Sequence, residues 1–405
     1  MIEKLRLERF KNFQDAELIL GPFTLLVGSN ASGKSNLREA FRFLHGMARG
    51  DRLTSVWRGI RGGGREIAFC GASTFALAVD FTIKDEQAER KATYRIEIDP
   101  GIDGKESRVL SERLTFWAPE EAIFTSTMPV KDDPDSLGFI VEYAGDRSQP
   151  YRGSNKYSLL SQVVSDVQIS PQCRQIASRA ISALGMMRFI DFHPEAMGMP
   201  SVPGQTTLGD KGENLSSIFQ AICQKPEMKE ALIQWFQALT PMTVTDLEFP
   251  VDESGRILLT SIEENGHKTS IDSFSDGTLR CLAMVAALLG PQPANFYFFE
   301  ELELSIHPTC LHLPIQLIER QVIKRNIQVV GTTQSSQLIR LLNWRSWEYS
   351  SVTYRLPDRF DAQIQRIIDI PDAKRLMDKY NLARLHESGW LENTMYFLAD
   401  EETED

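Results

Sequence analysis

The sequence predicts an α/β fold: a mixed, mainly parallel sheet covered by helices, a group of antiparallel strands, and a mostly helical insertion. Three observations point to it. A continuous apolar run, Phe23 to Val27, ends on a glycine-rich loop and is followed by helical spacing at Leu37, Phe41 and Leu44. Much later, a helical pattern from Thr278, an apolar run Phe296 to Phe299, a helical stretch to about Lys324 and a second apolar run Ile327 to Val330 succeed one another. That order is the mark of parallel strands joined by helical crossovers. Strand-like runs at Phe75 to Ile83 and Thr93 to Ile98 supply the antiparallel part.

Taken in order, Ile2, Leu5, Leu7, Phe10 and Phe13, then Ala16 to Leu20, predict two antiparallel strands closed by Gly21-Pro22. The helix after the loop runs from Lys34 to about Gly46. Further strands are expected near Leu114 and Phe139, with a solvated loop over 130–137. From about 166 to 240 the spacing turns helical, at Ile176, Ile181 and Leu184 and again at Leu215, Ile218 and Ile222. Between these lie the Pro- and Gly-bearing turns of 194–212. Strands resume at Val244, Leu247 and Ile257 to Leu259. The domain reading is a discontinuous head, 1–165 and 252–405, around the insertion 166–251. There is no internal repeat and no sustained heptad run. The acidic tail, 400–405, is expected to stay unfolded.

Composition narrows the class. The 405 residues, 42% hydrophobic and 24% charged, suit a globular protein of two or three domains. A net charge of −11 argues against a surface basic throughout. A local basic stretch exists: Arg38, Arg42, Arg49, Arg52, Arg58, Arg61 and Arg65. It reads as a contact to a nucleic-acid backbone, a contact to an acidic partner, or a solvated face. No apolar run approaches the roughly 20 residues needed to span a bilayer, and Cys281 to Gly290 reads as a buried helix. The opening residues carry charges where a secretory leader needs an apolar stretch, so none is expected. Five scattered cysteines read as free thiols in a reducing cytoplasm. His193 and His312 lack metal-ligand spacing. Trp390 and Leu391 read either as a cap on the core or as a docking point.

Three stretches carry chemistry. Gly28-Ser29-Asn30-Ala31-Ser32-Gly33-Lys34-Ser35 fits GxxxxGK[ST] at every position, between a strand and a helix. Glycines let successive N–H groups face phosphate oxygens, and the helix N-terminus adds its positive end. Lys34 is then expected at the β- and γ-phosphates and the Ser35 hydroxyl on Mg²⁺. The run Phe296 to Phe299 ends in Glu300 and Glu301. Beside a phosphate loop such a pair reads as a metal-assisting carboxylate, Glu300, and a general base, Glu301. Glu300 stands where Asp is usual. Ser273 to Thr278 precedes an apolar helix. Ser275 and Gly277 there could bind a second phosphate, which with the chain's own phosphate loop implies a site shared by two subunits. The simpler reading is a helix cap at Ser275 or Asp276.

Together, in this order, the three motifs resemble the head of the ABC-type ATPases. Leu7-Glu8-Arg9-Phe10-Lys11-Asn12-Phe13 and Gly28 to Ser35 with Asn36-Leu37-Arg38-Glu39-Ala40 resemble the opening of the RecF, SMC/Rad50 and OLD branch. Phe299 to Pro308 resembles that branch's DEPExxLHP, and Lys211 to Leu215 its GxNL segment. The resemblance implies an ABC-ATPase head fold, ATP and Mg²⁺ as cofactors, and an ATP-dependent dimer. It implies that Gly28 to Asn36 bind nucleotide and that Ser275, Asp276 and Gly277 face the opposite subunit's nucleotide. Ser305 and His307 then lie on the dimer-facing loop, and Gln334 stands where the family has a histidine at the γ-phosphate. Glutamine donates a hydrogen bond but carries no proton charge, which predicts slow turnover. Leu302 replaces the usual proline. No Toprim-like acidic triad follows the last core strand, so no nuclease activity is expected in this chain. The resemblance further implies a cytoplasmic ATPase that gates a separate effector, often a nuclease, in antiphage defence systems such as Septu and PARIS. A RecF-like DNA-repair clamp, a scaffold locked by ATP and, more distantly, a transporter ATPase are the alternatives. FKNF and the segment ending His307-Pro308 speak against the last.

Overall fold

The fold is that of a computed structural model. It describes residues 1–84, 89–101, 106–129, 133–143, 150–356, 359–373, 375, 382–387, 390 and 394. Part of the expected loop 130–137, Leu391 and the tail 400–405 lie outside them. The chain forms two compact units: Met1–Met187 with Arg345–Lys379 and Ser388–Asp405, and Arg188–Trp344 with Tyr380–Glu387.

In the first unit the described residues form an eight-stranded sheet, antiparallel at the pairings Ile2–Phe10 with Phe13–Ile19 and with Phe75–Lys84. It continues through Glu89–Asp99, Arg108–Trp117, Glu120–Pro129, Ser136–Val141 and Tyr151–Ser154. Along Glu89–Asp99 every second residue from Ala92 is buried, as a pleated strand with one face on the core requires. The first two strands meet at Phe10 and Phe13, as the alternation predicts. Phe23–Val27 is buried at all five positions and pairs in parallel with Ser351–Arg355, which pairs antiparallel with Ala362–Arg366. Burial on both faces explains its unbroken apolar run. Helix Lys34–Ala48 buries Leu37, Phe41 and Leu44, and Phe43 stacks on Trp57 at 5.3 Å.

Helices Leu159–Ser165 and Pro171–Gly185 complete this unit, each started by a serine: Ser158 accepts from the Leu160 N–H and Ser170 from the Cys173 N–H. Glu112, fully buried, accepts from the Ser158 hydroxyl (2.6 Å), the Leu159 and Leu160 N–H groups (2.7 and 2.8 Å) and the Tyr94 hydroxyl (2.9 Å). The strand Arg108–Trp117 is thereby tied to the start of a helix.

In the second unit Phe296–Phe299 and Gln328–Thr333 pair in parallel, Phe299 opposite Gly331, with helix His312–Lys324 as the crossover. Helix Asp276–Leu289 is buried along most of its length, as its apolar sequence predicts. Phe236 bridges Phe219 (6.0 Å) and Phe274 (5.8 Å), packing helices Leu215–Cys223 and Pro226–Leu239 near the start of that helix. Val244–Glu248, Thr260–Glu263 and Lys268–Ser270 form an antiparallel sheet. The expected strand Ile257 to Leu259 is corrected: the strand starts at Thr260 and Ile257 makes only isolated bridges, to Ser201 and Val251. Its N–H groups go elsewhere. Ile257 donates to the Ser201 carbonyl (2.9 Å), Leu258 to that of Pro250 (3.2 Å) and Leu259 to the Ser216 hydroxyl (3.0 Å). No helix among the described residues is long and apolar enough to cross a membrane.

Candidate functional site

The glycine-rich loop belongs to the first unit. It leaves strand Phe23–Val27 at Gly28, where a Cβ would lie 2.4 Å from the Thr353 carbonyl oxygen, so only glycine fits. Ser32 is buried and shares a 2.7 Å hydrogen bond with the Thr353 hydroxyl. Strand Ser351–Arg355 thus clamps the loop base, while Ser29, Asn30 and Ala31 stay exposed at its crest. Gly33 has φ 111°, and a Cβ there would meet the Phe13 ring at 2.7 Å and Asn12 Nδ2 at 2.9 Å. The Asn36 amide donates to Asn12 Oδ1 at 2.7 Å, and Asn12 accepts the Ala362 N–H through its carbonyl (2.7 Å). The asparagines of the two opening segments therefore lock the first turn to the helix, a link the sequence gives no sign of.

Lys34 is buried, and its ammonium donates to the carbonyls of Gly28 (2.6 Å) and Ser29 (2.8 Å). The long side chain is held back across the loop. Helix Lys34–Ala48 starts on Gly33 with no side-chain cap and no acid in its first turn. The first N–H groups of a helix have no intrahelical partner, and here no side chain competes with an anion for them. Ser35 and Asn36 are half-buried on that turn. Of the arginine stretch, Arg38 is buried and Arg42 half-buried, so it is no uniform solvated face; Arg49, Arg52, Arg58 and Arg61 are exposed.

The acidic strand end, the serine-led helix and Gln334 belong to the second unit. Phe296–Phe299 is buried throughout, Glu300 is half-buried and Glu301 is exposed. Glu301 takes φ 49°, a left-handed conformation that is uncommon and costly for a non-glycine residue. It is held there by hydrogen bonds: the Glu301 N–H donates to the Thr332 hydroxyl (2.9 Å) and the Leu302 N–H to the Thr332 carbonyl (3.0 Å). Leu302, in the place of the usual proline, is fully buried. The Gln334 amide reaches Glu301 Oε1 at 3.5 Å, and the Gln334 N–H donates to Glu303 Oε1 at 2.9 Å.

Ser275 caps helix Asp276–Leu289, accepting from the Thr278 N–H at 3.3 Å, so the cap reading holds; Ser275 and Asp276 are exposed. A Cβ on Gly277 would lie 2.1 Å from the Ser305 carbonyl oxygen. Ser305 has φ 62° and is exposed like His307, whose Nδ1 meets the Thr309 hydroxyl at 2.8 Å. The fold therefore brings Ser275–Gly277 together with Ser305, and Glu301 together with Gln334. Sequence reasoning missed Arg280, one turn beyond Asp276. Burial pushes its guanidinium below the usual range, against the charges of Asp276, Asp191 and Glu301. Arginine on an apolar helix gave no signal of that neighbourhood.

Among the described residues, no group of three or more His, Cys, Asp or Glu could hold a metal by itself. Mg²⁺ beside a nucleotide needs no such cage, since phosphates and waters supply most of its ligands. Ser35 in the first unit and Glu300 in the second each carry a hard oxygen donor. The uncapped Gly33 helix start, the exposed loop crest and Lys34 fit a polyphosphate.

The family model AAA_21, described as "AAA domain, putative AbiEii toxin, Type IV TA system", matches residues 23–168 and 223–340. Among solved structures the chain is similar to an SMC head bound to the C-winged helix domain of ScpA, at 15% identity and TM-score 0.54, over 90% of this chain and 97% of that one. The Smc head domain with an extended coiled coil from Pyrococcus furiosus, bound to the C-terminal domain of ScpA, gives 14% identity and TM-score 0.49, over 93% and 98%. The first likeness shows the fold to be that of an SMC-type ATPase head. No curated protein matches the chain.

Proposed function

Since the chain belongs to the AAA_21 family and is an ATPase with an SMC-head-like fold, we propose that it dimerises around ATP and regulates a separate effector, a nuclease by preference. The work is cytoplasmic, in antiphage defence or DNA maintenance. In this reading Gly28 to Asn36 hold the triphosphate, Ser35 and Glu300 hold Mg²⁺, and Glu301 activates the attacking water. Ser275 to Gly277, with Ser305 and His307, face the nucleotide of a second subunit. Mg²⁺ supplies charge neutralisation on the β- and γ-phosphates. The insertion 166–251 is proposed as a lid.

The observation that carries the proposal is the seat of Gly277. A helix start with exposed Ser275 and Asp276 is packed, through a glycine that tolerates no side chain, onto the Ser305 turn. A second serine- and glycine-led helix start, besides that of the phosphate loop, supports a composite site even though Ser275 also caps it. The family description names a Type IV TA system and the solved SMC head carries a domain of ScpA. Both support an ATPase that acts with a second protein. A scaffold with little turnover is the second reading, favoured by one contact: Gln334, which cannot carry a proton charge, is the side chain that reaches Glu301.

ATP turnover and solution mass, with and without ATP, test this for wild type and Glu301→Gln. Wild type should hydrolyse ATP, and the variant should lose about 100-fold or more while accumulating a nucleotide-dependent dimer. A variant that turns over like wild type removes Glu301 as the base. A monomer under every condition removes the composite site.

A further inference from the structure

We infer that Glu303 is a positioning residue for ATP hydrolysis, holding Gln334 so that its amide meets Glu301. The inference rests on the roles proposed above for Glu301 and Gln334.

After Phe299 the chain doubles back in successive turns. The Leu304 N–H donates to the Glu301 carbonyl (2.9 Å) and the Ile306 N–H to that of Glu303 (3.0 Å). Leu302 is buried as the pin of these turns, its N–H on the Thr332 carbonyl at 3.0 Å. Glu303 is thereby carried to the end of the neighbouring strand, where Oε1 accepts the Gln334 N–H at 2.9 Å. Two bonds thus join the acidic turn to strand Gln328–Thr333 at Thr332, and the Glu303 carboxylate adds a third at Gln334. A carboxylate acceptor makes this the strongest of them.

Two details argue that this is more than a strut. The Gln334 Nε2 to Glu301 Oε1 contact is 3.5 Å, at the outer limit of a hydrogen bond, so a small shift of the Gln334 backbone decides whether it is made. Glu303 Oε2 is buried with no hydrogen-bond partner among the described residues. That is a desolvation cost which a neutral acceptor would reduce. The side chain therefore keeps an acceptor on the Gln334 N–H at the expense of stability.

The test is a double-mutant cycle on the full chain, reading kcat, KM for ATP and Tm for wild type, Glu303→Ala, Gln334→Ala and the double variant. Glu303→Ala should lower kcat by about 10- to 100-fold and leave KM within about threefold. The double variant should be no slower than Gln334→Ala alone, because Glu303 acts only through Gln334. Glu303→Gln, which keeps the acceptor, should regain most of the loss. Glu303→Asp, which keeps the charge but withdraws it by one methylene, should behave like Ala. The inference is overturned if Gln334→Ala turns over like wild type, if the two losses multiply, or if kcat, KM and Tm all deteriorate together. A Glu301→Gln protein run in parallel keeps the two readings apart: full turnover there refutes the base, while the cycle still decides on Glu303.

Discussion

Two glycines show how one missing methyl group sets the chemistry. Gly277 lets the serine-led helix lie against the Ser305 carbonyl, where a Cβ would come within 2.1 Å. Gly277→Ala must push the two segments apart, at a cost of about 1–3 kcal/mol for overpacking. We expect its ATPase rate to fall at least tenfold with Tm lowered by a few degrees, measured by turnover and calorimetry. A variant with wild-type turnover would detach this contact from catalysis. Gly33 combines φ 111° with a would-be clash against Phe13 and Asn12. The glycine itself was legible as a motif position. Its neighbours were not, because nothing in a local pattern says that the turn at Lys11-Asn12 folds onto the helix start.

At the scale of elements, the buried carboxylate of Glu112 ties helix Leu159–Ser165 to strand Arg108–Trp117. Glu112→Ala takes the acceptor from the Leu159 N–H and from the buried Ser158 and Tyr94 hydroxyls, and should cost roughly 3 kcal/mol in denaturant unfolding. A cost below about 0.5 kcal/mol would show the link to be dispensable. Burial pushes this carboxyl above its ordinary 4.5, despite the donors from Ser158, Leu160, Leu159 and Tyr94 that favour its charged form. The folded chain then holds this proton more tightly than the unfolded chain, and such a state is favoured at low pH. The group's contribution to stability is therefore largest below pH 4.5 and declines as pH rises through its folded pKa. Unfolding at several pH values should show that slope in wild type and lack it in Glu112→Gln.

For the whole molecule the relevant quantity is the coupling of nucleotide to folding. ATP with Mg²⁺ that binds only the folded chain should stabilise it by about 2.7 kcal/mol at 100 times its Kd. That appears as a rise in Tm with ATP, diminished by a chelator because Ser35 and Glu300 are the proposed Mg²⁺ donors. Lys34→Ala should abolish the rise measured from its own unliganded Tm, which loss of the bonds to the Gly28 and Ser29 carbonyls should itself lower by a few degrees. An equal rise in that variant would place the nucleotide away from the loop. The fold class was legible at this scale because helix and strand periods, with apolar runs at Phe23–Val27 and Phe296–Phe299, are properties of short stretches. The strand expected at Ile257 failed for the opposite reason: its N–H groups found partners outside any ladder, at Pro250 nearby and at Ser201 and Ser216 far off in sequence.

The sequence by itself determined the phosphate loop, the acidic strand end and the capped helix, because each is a local constraint on a few consecutive residues. Only the tertiary structure decided that Glu303 takes the Gln334 N–H, that Gly277 seats on Ser305 and that Asn36 binds Asn12. It alone put Glu301 in a left-handed turn held by Thr332. Those contacts join residues some two dozen or more positions apart. They follow from the register of parallel strands and the path of the turns between them, which no periodicity in the chain encodes.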